Sequence, residues 1–401
     1  MTVTSNDEGN LTKSFDGLRV LDFSTTIAGP HCTRMLADLG AEVIKIETAE
    51  GETMRTRPPL RNNCSTAFGQ LNVGKKSLVL DLKSPDGIEV VRRLVATADI
   101  LVENFRPGVM RRLKLDYASL HALNPKLIYC SISGYGQTGP SAELPAYAPV
   151  IHAASGYERA HLAYQPGRSR PDYCGIYTAD VLTGVYAFGA IGAALHQRHG
   201  KGKGQHIDVS MLESMLSLTL NEVQWSQFEV KPTQRPMFGP IETSDGYVMV
   251  AIASEKTFQS LMKVIGHPEW ITDSRFAKYS DRRENWASLM NGVEEWSRSV
   301  TTEICLAALN EEGVPSSAYR TVAEALRDPQ IAHRGALAEV ADGGGTFRVL
   351  NQPFRMSGAT VSAGKRMSTL GEHTLSLLRE SGLSDDQISA FAGKKPMAVP
   401  G

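Results

Sequence analysis

Near its N-terminus the chain carries a strand–helix–strand pattern that constrains its fold more than any other feature. GLRVLDFS (17–24) is a short apolar run that ends in polar residues, as in a buried strand. A helix follows, with apolar residues at helical spacing from Cys32 to Leu39, and Gly40 ends it. AEVIKIE (41–47) is typical of a second strand. Because strands joined through a helix pair in parallel, the pattern predicts a βαβ unit.

The alternation continues along the first half of the chain. Further strand-like runs are KSLVLDL (76–82), DILVENF (99–105) and LIYCSISGYG (127–136), and a helix capped by Ser84 separates the first two. This predicts an α/β fold with an open parallel sheet and helices on both faces. Ligands of such sheets bind beyond the carboxyl ends of the strands. The corresponding loops are 24–29, 47–57, 104–108 and 133–139.

Length, charge and cysteine content limit the class of protein. A chain of 401 residues is long enough for two domains. The net charge of -1 gives no general attraction to nucleic acid or to a membrane surface. The five cysteines form no CxxC pair, which is typical of a reducing compartment, and no signal peptide precedes the first strand. We therefore expect a cytoplasmic protein without a membrane partner, a nucleic-acid partner or a metal site.

The composition changes near Gln224, where QFEVKPTQRPMFGP is typical of a crossing between domains. A hairpin is predicted soon after it, with Asp245 and Gly246 as its turn, and helical segments continue to about residue 310. The pattern predicts a smaller middle domain.

Asp180, in YTADVLTG (177–184), stands before the apolar stretch Val181–Leu195, which predicts a fully buried helix. An aspartate at this position is a favoured N-cap of the helix. The same helix terminus favours an ionised carboxylate, and an ionised, positioned carboxylate can be a nucleophile. The pattern alone does not decide between a cap and a nucleophile.

Several ordered stretches together resemble the class III CoA-transferase family, which includes formyl-CoA and carnitine CoA-transferases and the related α-methylacyl-CoA racemases. The stretches are GLRVLDFSTTIAGPHCTRMLADLGAEVIKIE, NVGKKSLVLDLKSPDG, ADILVENFRPGVMRRL, LIYCSISGYGQTGP, DVLTGVYAFGAIGAALHQRHGKGKGQHIDVSMLES, TSDGYVMVAI and GVPSSAYRTVAEALRDPQ. The resemblance runs from about residue 17 to 360. It implies a Rossmann-like, CoA-binding large domain (1–223 and 329–401), a smaller α+β middle domain (224–328) and an interlocked homodimer.

The resemblance also assigns functional residues. The family's catalytic aspartate corresponds to Asp180. Its CoA contacts correspond to Thr25, Thr26, Ile27, Ala28, Lys75, Asn104, Phe105, Arg112 and Tyr135, and Arg55 is a further candidate near the CoA phosphates. Lysine and arginine side chains can neutralise phosphates, which an otherwise neutral protein needs.

The implied reaction moves CoA between carboxylic acids through covalent intermediates on Asp180. Coenzyme A is then a substrate, as its acyl thioester, and no tightly bound cofactor is expected. The candidates for the substrate site are Tyr147, Arg168 and Arg170, which precede Asp180, and Arg235 in QRPMFG. Arginines near the acyl site would bind a second carboxylate. We therefore expect dicarboxylic acids such as succinate, itaconate, mesaconate, citramalate or malate, although surface arginines would give the same pattern.

Two departures from the family bear on the activity. Formyl-CoA transferases have a lysine where this chain has Ser133, and a four-glycine run that is missing around PMFGPIETSDG, which puts oxalate or formate chemistry in doubt. Racemases have a histidine where this chain has Tyr147, and tyrosine is a weak base at neutral pH. An α-methylacyl-CoA racemase and a non-catalytic CoA-binding protein stay as the alternatives.

Overall fold

The computed structural model describes residues 11–165, 167–229, 238–252 and 254–393. The chain forms two compact units. The larger unit contains Met1–Val223 and His333–Gly401, and the smaller unit contains Gln224–Ala332. The chain therefore leaves the larger unit once and returns to it.

A six-stranded parallel sheet is the centre of the larger unit. The strands of this part of the chain are β1 (Arg19–Asp22), β2 (Glu42–Glu47), β3 (Leu60–Arg61), β4 (Cys64–Ser65), β5 (Lys76–Val79), β6 (Ile100–Glu103), β7 (Ile128–Ser133) and β8 (His206–Ser210). The order across the sheet is β5-β2-β1-β6-β7-β8, and each neighbouring pair is parallel. With the six strands renumbered in sequence, this is the 3-2-1-4-5-6 order of the Rossmann fold. The predicted Rossmann-like sheet is confirmed.

The strand order reverses at β1, whose two neighbours are β2 and β6. In doubly wound sheets the ligand crevice lies outside the carboxyl ends of the strands at this switch point. β1 ends at Asp22 and β6 at Glu103, so the loops that begin at Phe23 and Asn104 meet there. The fold itself therefore places the predicted CoA loops side by side.

Helices cover both faces of this sheet. They are α1 (Ala28–Asp38), α2 (Thr66–Asn72), α3 (Pro85–Val95), α4 (Val109–Arg112), α5 (Tyr117–His121), α6 (Ala148–Ala154), α7 (Tyr157–Leu162), α8 (Thr178–Lys201), α9 (Met211–Leu216) and, at the exit from the unit, α10 (Leu220–Trp225). Alternate strand residues enter opposite core layers. Val20 packs with Leu36 of α1 and Ile191 of α8, whereas Leu21 packs with Leu94 of α3.

α8 is longer than predicted and only one of its faces is buried. Ala179, Thr183, Ala187 and Ile191, which recur every four residues, lie against the core. Val181, Val185 and Tyr186 are 44%, 45% and 46% exposed. The expectation of a fully buried helix is therefore wrong, because the small residues form one stripe and the larger apolar residues point outward.

By length and composition α8 would also be apolar enough to cross a membrane, with a mean hydropathy of 1.4 over 18 residues, of which 33% are buried. The core helix of a soluble protein meets the same criterion, and α8 packs one face against the sheet. The apolar composition of α8 is therefore not sufficient to identify a membrane span.

The smaller unit combines a three-stranded antiparallel sheet with helices. Its elements are β9 (Ile241–Glu242), β10 (Tyr247–Val250), α11 (Glu255–Val264), α12 (Tyr279–Glu284), α13 (Trp286–Ser297), α14 (Thr302–Glu311), β11 (Ser316–Ala318), α15 (Val322–Ala325) and, at its end, α16 (Pro329–His333). β9 and β10 form the predicted hairpin, in which the Thr243 amide donates to the Gly246 carbonyl across 2.9 Å. This hairpin is confirmed.

The C-terminal segment completes the larger unit with β12 (Leu337–Asp342), β13 (Gly345–Leu350), α17 (Thr374–Glu380) and α18 (Asp385–Gly393). Leu377 and Leu378 of α17 are fully buried in the same core cluster as Leu21 and Leu94. The tail is therefore an integral part of the core that holds the sheet.

Candidate active site

A cavity of about 840 Å³ lies in the larger unit at the carboxyl ends of β1, β6 and β7, a size typical of small-molecule sites. The loops after these strands, the segment 53–58 after β2, and residues of α2, α6, α8 and α9 form its wall. The lining residues are Thr25, Thr26, Ile27, Ala28, Thr53, Met54, Arg57, Pro58, Ala67, Asn104, Phe105, Arg106, Pro107, Ile132, Ser133, Gly134, Ala142, Leu144, Ala146, Tyr147, Ala148, Pro149, Tyr177, Asp180 and Met211.

The cavity brings Asp180 together with part of the predicted set. The predicted residues at the wall are Thr25, Thr26, Ile27, Ala28, Asn104, Phe105, Tyr147 and Asp180. The other predicted residues within the described part of the chain, Arg55, Lys75, Arg112, Tyr135, Arg168 and Arg170, are not among the wall residues. Arg235 lies outside the described residues.

Asp180 lies in the first turn of α8 but does not cap the helix. The N-cap residue is Tyr177, and Asp180 is the third residue of the helix. Burial raises the pKa of Asp180 to about 6, and a hydrogen bond donated by the Ala28 backbone amide acts in the opposite direction. Of the two roles that the sequence pattern left open, the N-cap is not the one that Asp180 has here, because the carboxylate accepts from the Ala28 amide of α1.

Two helix N-termini therefore meet at this carboxylate. Ala28 is the first residue of α1, and Asp180 is in the first turn of α8. The amides of a helix N-terminus and the helix dipole favour negative charge. The arrangement suits a carboxylate that must be ionised in a partly buried place.

The close contact of these helices depends on Gly184, one turn after Asp180. A Cβ atom at Gly184 would lie 2.7 Å from the Ala28 carbonyl oxygen and 3.1 Å from the His31 ring. Such distances exclude any larger residue unless the helices separate. Gly184 thus lets α8 approach α1 closely enough for Asp180 to reach the Ala28 amide.

The loop Thr25–Ala28 is held by side chains from two neighbouring loops. Asn104 accepts a hydrogen bond from the Thr25 amide and donates one to the Thr25 carbonyl, each at 2.8 Å. Glu52 accepts from the Thr26 amide at 2.5 Å. Thr26 has a φ of 69°, a left-handed conformation that is uncommon for a threonine. Asn104 therefore fixes the loop that carries the Ala28 amide.

Lys75 is a buried structural cation in this structure. Its side chain is 1% exposed, and its Nζ atom lies 3.0 Å from Oδ2 of Asp22 and 2.7 Å from the Thr33 hydroxyl. The Pro30 carbonyl and the Asn72 side chain also accept from it. Burial lowers the pKa of Lys75 to about 8, and Asp22 opposes this shift. The expected contact with a CoA phosphate needs correction, because the ammonium is enclosed and its donors are in use.

Asp22 is the other half of this pair and is completely buried. Burial by itself would raise its pKa, but Lys75, Lys45 and the hydrogen bonds from Ser24 and Thr33 together lower the pKa to about 2. Lys45 in turn lies 2.7 Å from Glu52, which holds the Thr26 amide. The buried charges are thus connected to the cavity loop.

Arg55 is also part of an ion pair, with Glu47. Its guanidinium makes two hydrogen bonds to the Glu47 carboxylate, at 2.8 and 2.7 Å, and stacks on the Phe68 ring with 4.2 Å to the centroid. Arg112 is exposed at the end of α4, and Tyr135 packs beside a buried cluster that contains Ile151.

The two predicted substrate arginines within the described residues, Arg168 and Arg170, lie on the surface. Arg168 forms an ion pair with Asp172 at 2.7 Å, and Arg170 donates to the Tyr173 hydroxyl at 3.0 Å. The arginines at the described cavity wall are instead Arg57 and Arg106. Arg106 directly follows Phe105 in the loop at the end of β6, and this position at the switch point is the sequence signal that could have identified it.

Tyr147 is at the wall but is 69% exposed. No histidine is among the wall residues in the described part of the chain, and the same described ranges contain no group of three or more His, Cys, Asp or Glu side chains that could hold a metal ion. The reactive group that the geometry offers is the Asp180 carboxylate.

The fold and the cavity define the class of protein. It is an α/β protein with an open sheet and a carboxylate at the ligand crevice of that sheet. Residues 15–374 match the family model described as CoA-transferase family III. The chain belongs to this family, and it is a CoA-transferase.

Similar proteins agree with this assignment over nearly the whole chain. A succinate–glutarate CoA-transferase of Agrobacterium fabrum is 33% identical over 391 residues, which cover 93% of this chain and 97% of that protein. An acetyl-CoA:oxalate CoA-transferase of Acetobacter aceti is 37% identical over 353 residues, covering 86% and 89%. The crystal structure of a CAIB/BAIF family protein from Brucella suis has a TM-score of 0.81 and 35% identity, covering 93% of this chain and all of that one.

Proposed function

We propose that the protein transfers CoA between carboxylic acids with Asp180 as its nucleophile. The observation that carries the proposal is the position of the Asp180 carboxylate, at the cavity wall and at the meeting point of two helix N-termini. A carboxylate in such a place is ionised, oriented and open to a ligand, as nucleophilic catalysis requires.

The proposed reaction has four exchange steps. The Asp180 carboxylate attacks the acyl carbon of the donor thioester, the C–S bond breaks, and a mixed anhydride and CoA thiolate form. The thiolate attacks the aspartyl carbon, which releases the donor acid and leaves an aspartyl–CoA thioester. The acceptor carboxylate then attacks this thioester and gives a second mixed anhydride and the thiolate. Finally the thiolate attacks the acceptor's acyl carbon, which forms the new acyl-CoA and restores Asp180.

For CoA binding we propose the edge formed by Thr25–Ala28, Asn104 and Phe105. Arg57 and Arg106 are the cations of the described wall, and we assign them to the anionic groups of the ligands in place of Lys75. Arginine suits this task because its planar guanidinium binds phosphates and carboxylates through two hydrogen bonds. Arg112, which is not at the cavity wall, is proposed to contact CoA outside the cavity.

As substrates we propose dicarboxylic acids. Support comes from the two relatives, which are named for succinate, glutarate and oxalate, and from the arginines at the wall. The second carboxylate of a dicarboxylic acid needs a cation, whereas a monocarboxylic acid leaves one arginine without a partner. Succinate is our proposed donor acid, and itaconate, mesaconate, citramalate, malate, glutarate and oxalate are the acceptors to compare.

The test combines trapping with a substrate matrix. The protein is incubated with succinyl-CoA and hydroxylamine, and the modified residue is located by mass spectrometry. We expect a hydroxamate at Asp180 and no adduct in Asp180→Asn. Full activity of Asp180→Asn would refute the nucleophile. A matrix of acyl-CoA donors and acids then identifies the pair, and CoA binding without turnover across the matrix would indicate a non-catalytic CoA-binding protein.

A racemase would need a second group to move a proton to the α-carbon of the acyl chain. Tyr147 occupies the position expected for that group, and it projects into solvent. His152 is buried and bonded to the backbone of α8. We therefore expect no exchange of the α-proton of a 2-methylacyl-CoA with deuterium in the absence of an acceptor acid.

For the assembly we propose an interlocked homodimer, in which residues 1–223 and 329–401 form the CoA-binding domain and residues 224–328 a smaller domain. The exposed apolar face of α8 supports an extensive interface with a second copy. We also propose a cytoplasmic location, since the five cysteines are free.

A further inference from the structure

The first turn of α8 receives its cap from another helix. Tyr177, the N-cap residue, makes no side-chain hydrogen bond to this turn. The acceptor is the Nε2 atom of His152 on α6, which lies 3.1 Å from the Ala179 backbone nitrogen. The His152 side chain is 2% exposed, so this bond is shielded from bulk water.

The direction of this bond fixes the protonation of the ring. The Ala179 amide is a donor, so Nε2 must be unprotonated, and a neutral imidazole then carries its proton on Nδ1. Burial lowers the pKa of His152, and Glu158 on α7 opposes the shift. Of the other titratable groups on the elements packed against α6, Tyr157 lies 6.3 Å from the ring between centroids, Asp180 faces the cavity, and Glu213 on α9 is exposed.

We propose that His152 is a positioning residue for CoA transfer, which orients Asp180 by accepting the hydrogen bond of the neighbouring Ala179 amide. The proposal rests on the nucleophilic role proposed for Asp180. An acidic side chain at the third helical position commonly bonds back to its own helix terminus. His152 supplies an acceptor to that turn. The Asp180 carboxylate can therefore accept from the Ala28 amide and attack the acyl carbon of the substrate.

Protonation of His152 at Nε2 would break this bond. An imidazolium has donors on both nitrogens, and one of them would then face the Ala179 amide at the positive end of the helix dipole. The turn would lose its acceptor and gain a repulsive charge. His152 therefore acts only in its neutral form, and its protonation displaces Asp180.

Two substitutions separate hydrogen bonding from packing. His152→Leu keeps much of the volume and removes the acceptor, whereas His152→Gln retains a side-chain oxygen that can accept. We expect His152→Leu to lower kcat by ~10²-fold, the effect of a displacement of about 1 Å at a reacting group, with little change in the KM for acyl-CoA. His152→Gln should restore most of the loss. His161→Leu, at an exposed histidine of α7, is the control and should leave kcat unchanged.

Three outcomes would overturn the proposal. One is an unchanged kcat in folded His152→Leu. Another is equal loss in His152→Leu and His152→Gln. The third is a ¹⁵N NMR spectrum of the histidines that places the His152 proton on Nε2 at the pH of maximal activity. This measurement uses the wild-type protein, so it applies even if His152→Leu does not fold.

Failure of the nucleophile and failure of the cap are distinguishable. If Asp180 is not the nucleophile, Asp180→Asn stays active and no adduct forms. Hydrogen exchange at the Ala179 amide reports the cap without any turnover. We expect this amide to exchange faster in His152→Leu than in His152→Gln, and equal rates would contradict the proposed bond.

Discussion

At the scale of single residues, Asp180 is held between two opposing influences. Burial raises its pKa from 3.8 to about 6, while the Ala28 amide and the helix dipoles favour its charged form. With such a pKa, roughly nine tenths of the carboxylates are ionised at pH 7. The group is therefore more basic than an ordinary aspartate and still charged under cellular conditions, which suits attack on a thioester.

This pKa predicts the pH dependence of transfer. Only the ionised carboxylate attacks, so kcat/KM should be constant well above pH 6 and should fall as the pH drops through 6, by tenfold for each further unit. The pH profile of His152→Gln is the measurement, since its acid limb reports Asp180 without titration of His152. A midpoint near the ordinary value of 3.8 would show that the carboxylate is not desolvated in the active enzyme.

Lys75 is predicted to be important for stability rather than for binding. Lys75→Met removes the ion-pair partner of the buried Asp22 carboxylate, which should reduce the free energy of unfolding by about 3 to 5 kcal/mol. Urea unfolding measures this loss. The control is Lys76→Met, whose side chain is 38% exposed and paired with Glu42, and which should cost at most about 1 kcal/mol.

A contact between Lys75 and a CoA phosphate, the alternative role of this residue, makes the opposite prediction. If Lys75 bound a phosphate of CoA, Lys75→Met would raise the KM for acyl-CoA and leave the urea midpoint nearly unchanged. Adding Asp22→Asn to Lys75→Met should recover part of the lost stability, because the orphaned charge is removed. No recovery would mean that the ion pair is not the origin of the loss.

Lys75 and Asp180 also show which contacts a local sequence pattern does not predict. Lys75 was assigned to CoA from the family resemblance, but its partner Asp22 lies 53 positions away, and no local pattern reveals a buried pair. A cap role for Asp180 was one of two roles that the pattern of its own helix left open. The acceptor for this turn comes from His152, 27 positions before Ala179, and a cap supplied by another helix leaves no signature near Asp180.

At the scale of elements, the contact between α1 and α8 determines the site. Gly184→Ala adds a Cβ atom at 2.7 Å from the Ala28 carbonyl, so α8 must move away from α1 and Asp180 from the Ala28 amide. We expect kcat to fall by ~10²-fold while the protein stays folded. Glycine-to-alanine changes in a helix otherwise stabilise it by about 1 kcal/mol.

Gly200→Ala is the matched control on the same helix. A Cβ atom at Gly200 meets no atom within 4 Å. The control should keep full activity and gain slightly in thermal stability. Equal activity of Gly184→Ala and Gly200→Ala would show that the spacing of the two helices does not matter for transfer.

The parallel sheet was predictable, whereas the exposure of α8 was not. Each strand of the sheet is a local apolar run, so a window of a few residues contains the signal, as in Arg19–Asp22 and Ile100–Glu103. Val181–Leu195 is apolar on all sides, and that composition fits burial by the same chain or by a second chain equally well. The short β3–β4 hairpin was missed because its strands, Leu60–Arg61 and Cys64–Ser65, are too brief to form a pattern.

At the scale of the whole molecule, the outward apolar residues of α8 are the surface on which the proposed homodimer can be tested. We name the exposed set Ile176, Val181, Val185, Tyr186, Leu216, Leu218 and Leu220 the α8 patch. The Tyr186 hydroxyl donates to the Ser217 hydroxyl at 2.8 Å, which connects α8 with the segment after α9. A patch of this kind on a symmetric dimer would contact its own copy or a complementary part of the partner.

Val185→Glu tests this assembly directly. The substitution places a charge in the proposed interface, where it would be desolvated without a partner, so light scattering after size-exclusion chromatography should show a shift from twice the mass of one chain towards one chain. Leu123→Glu is the control, because Leu123 is 41% exposed, close to the 45% of Val185, and lies outside the α8 patch. It should keep the mass of two chains. A wild-type protein with the mass of one chain would contradict the dimer, and an unchanged mass in Val185→Glu would place the interface away from α8.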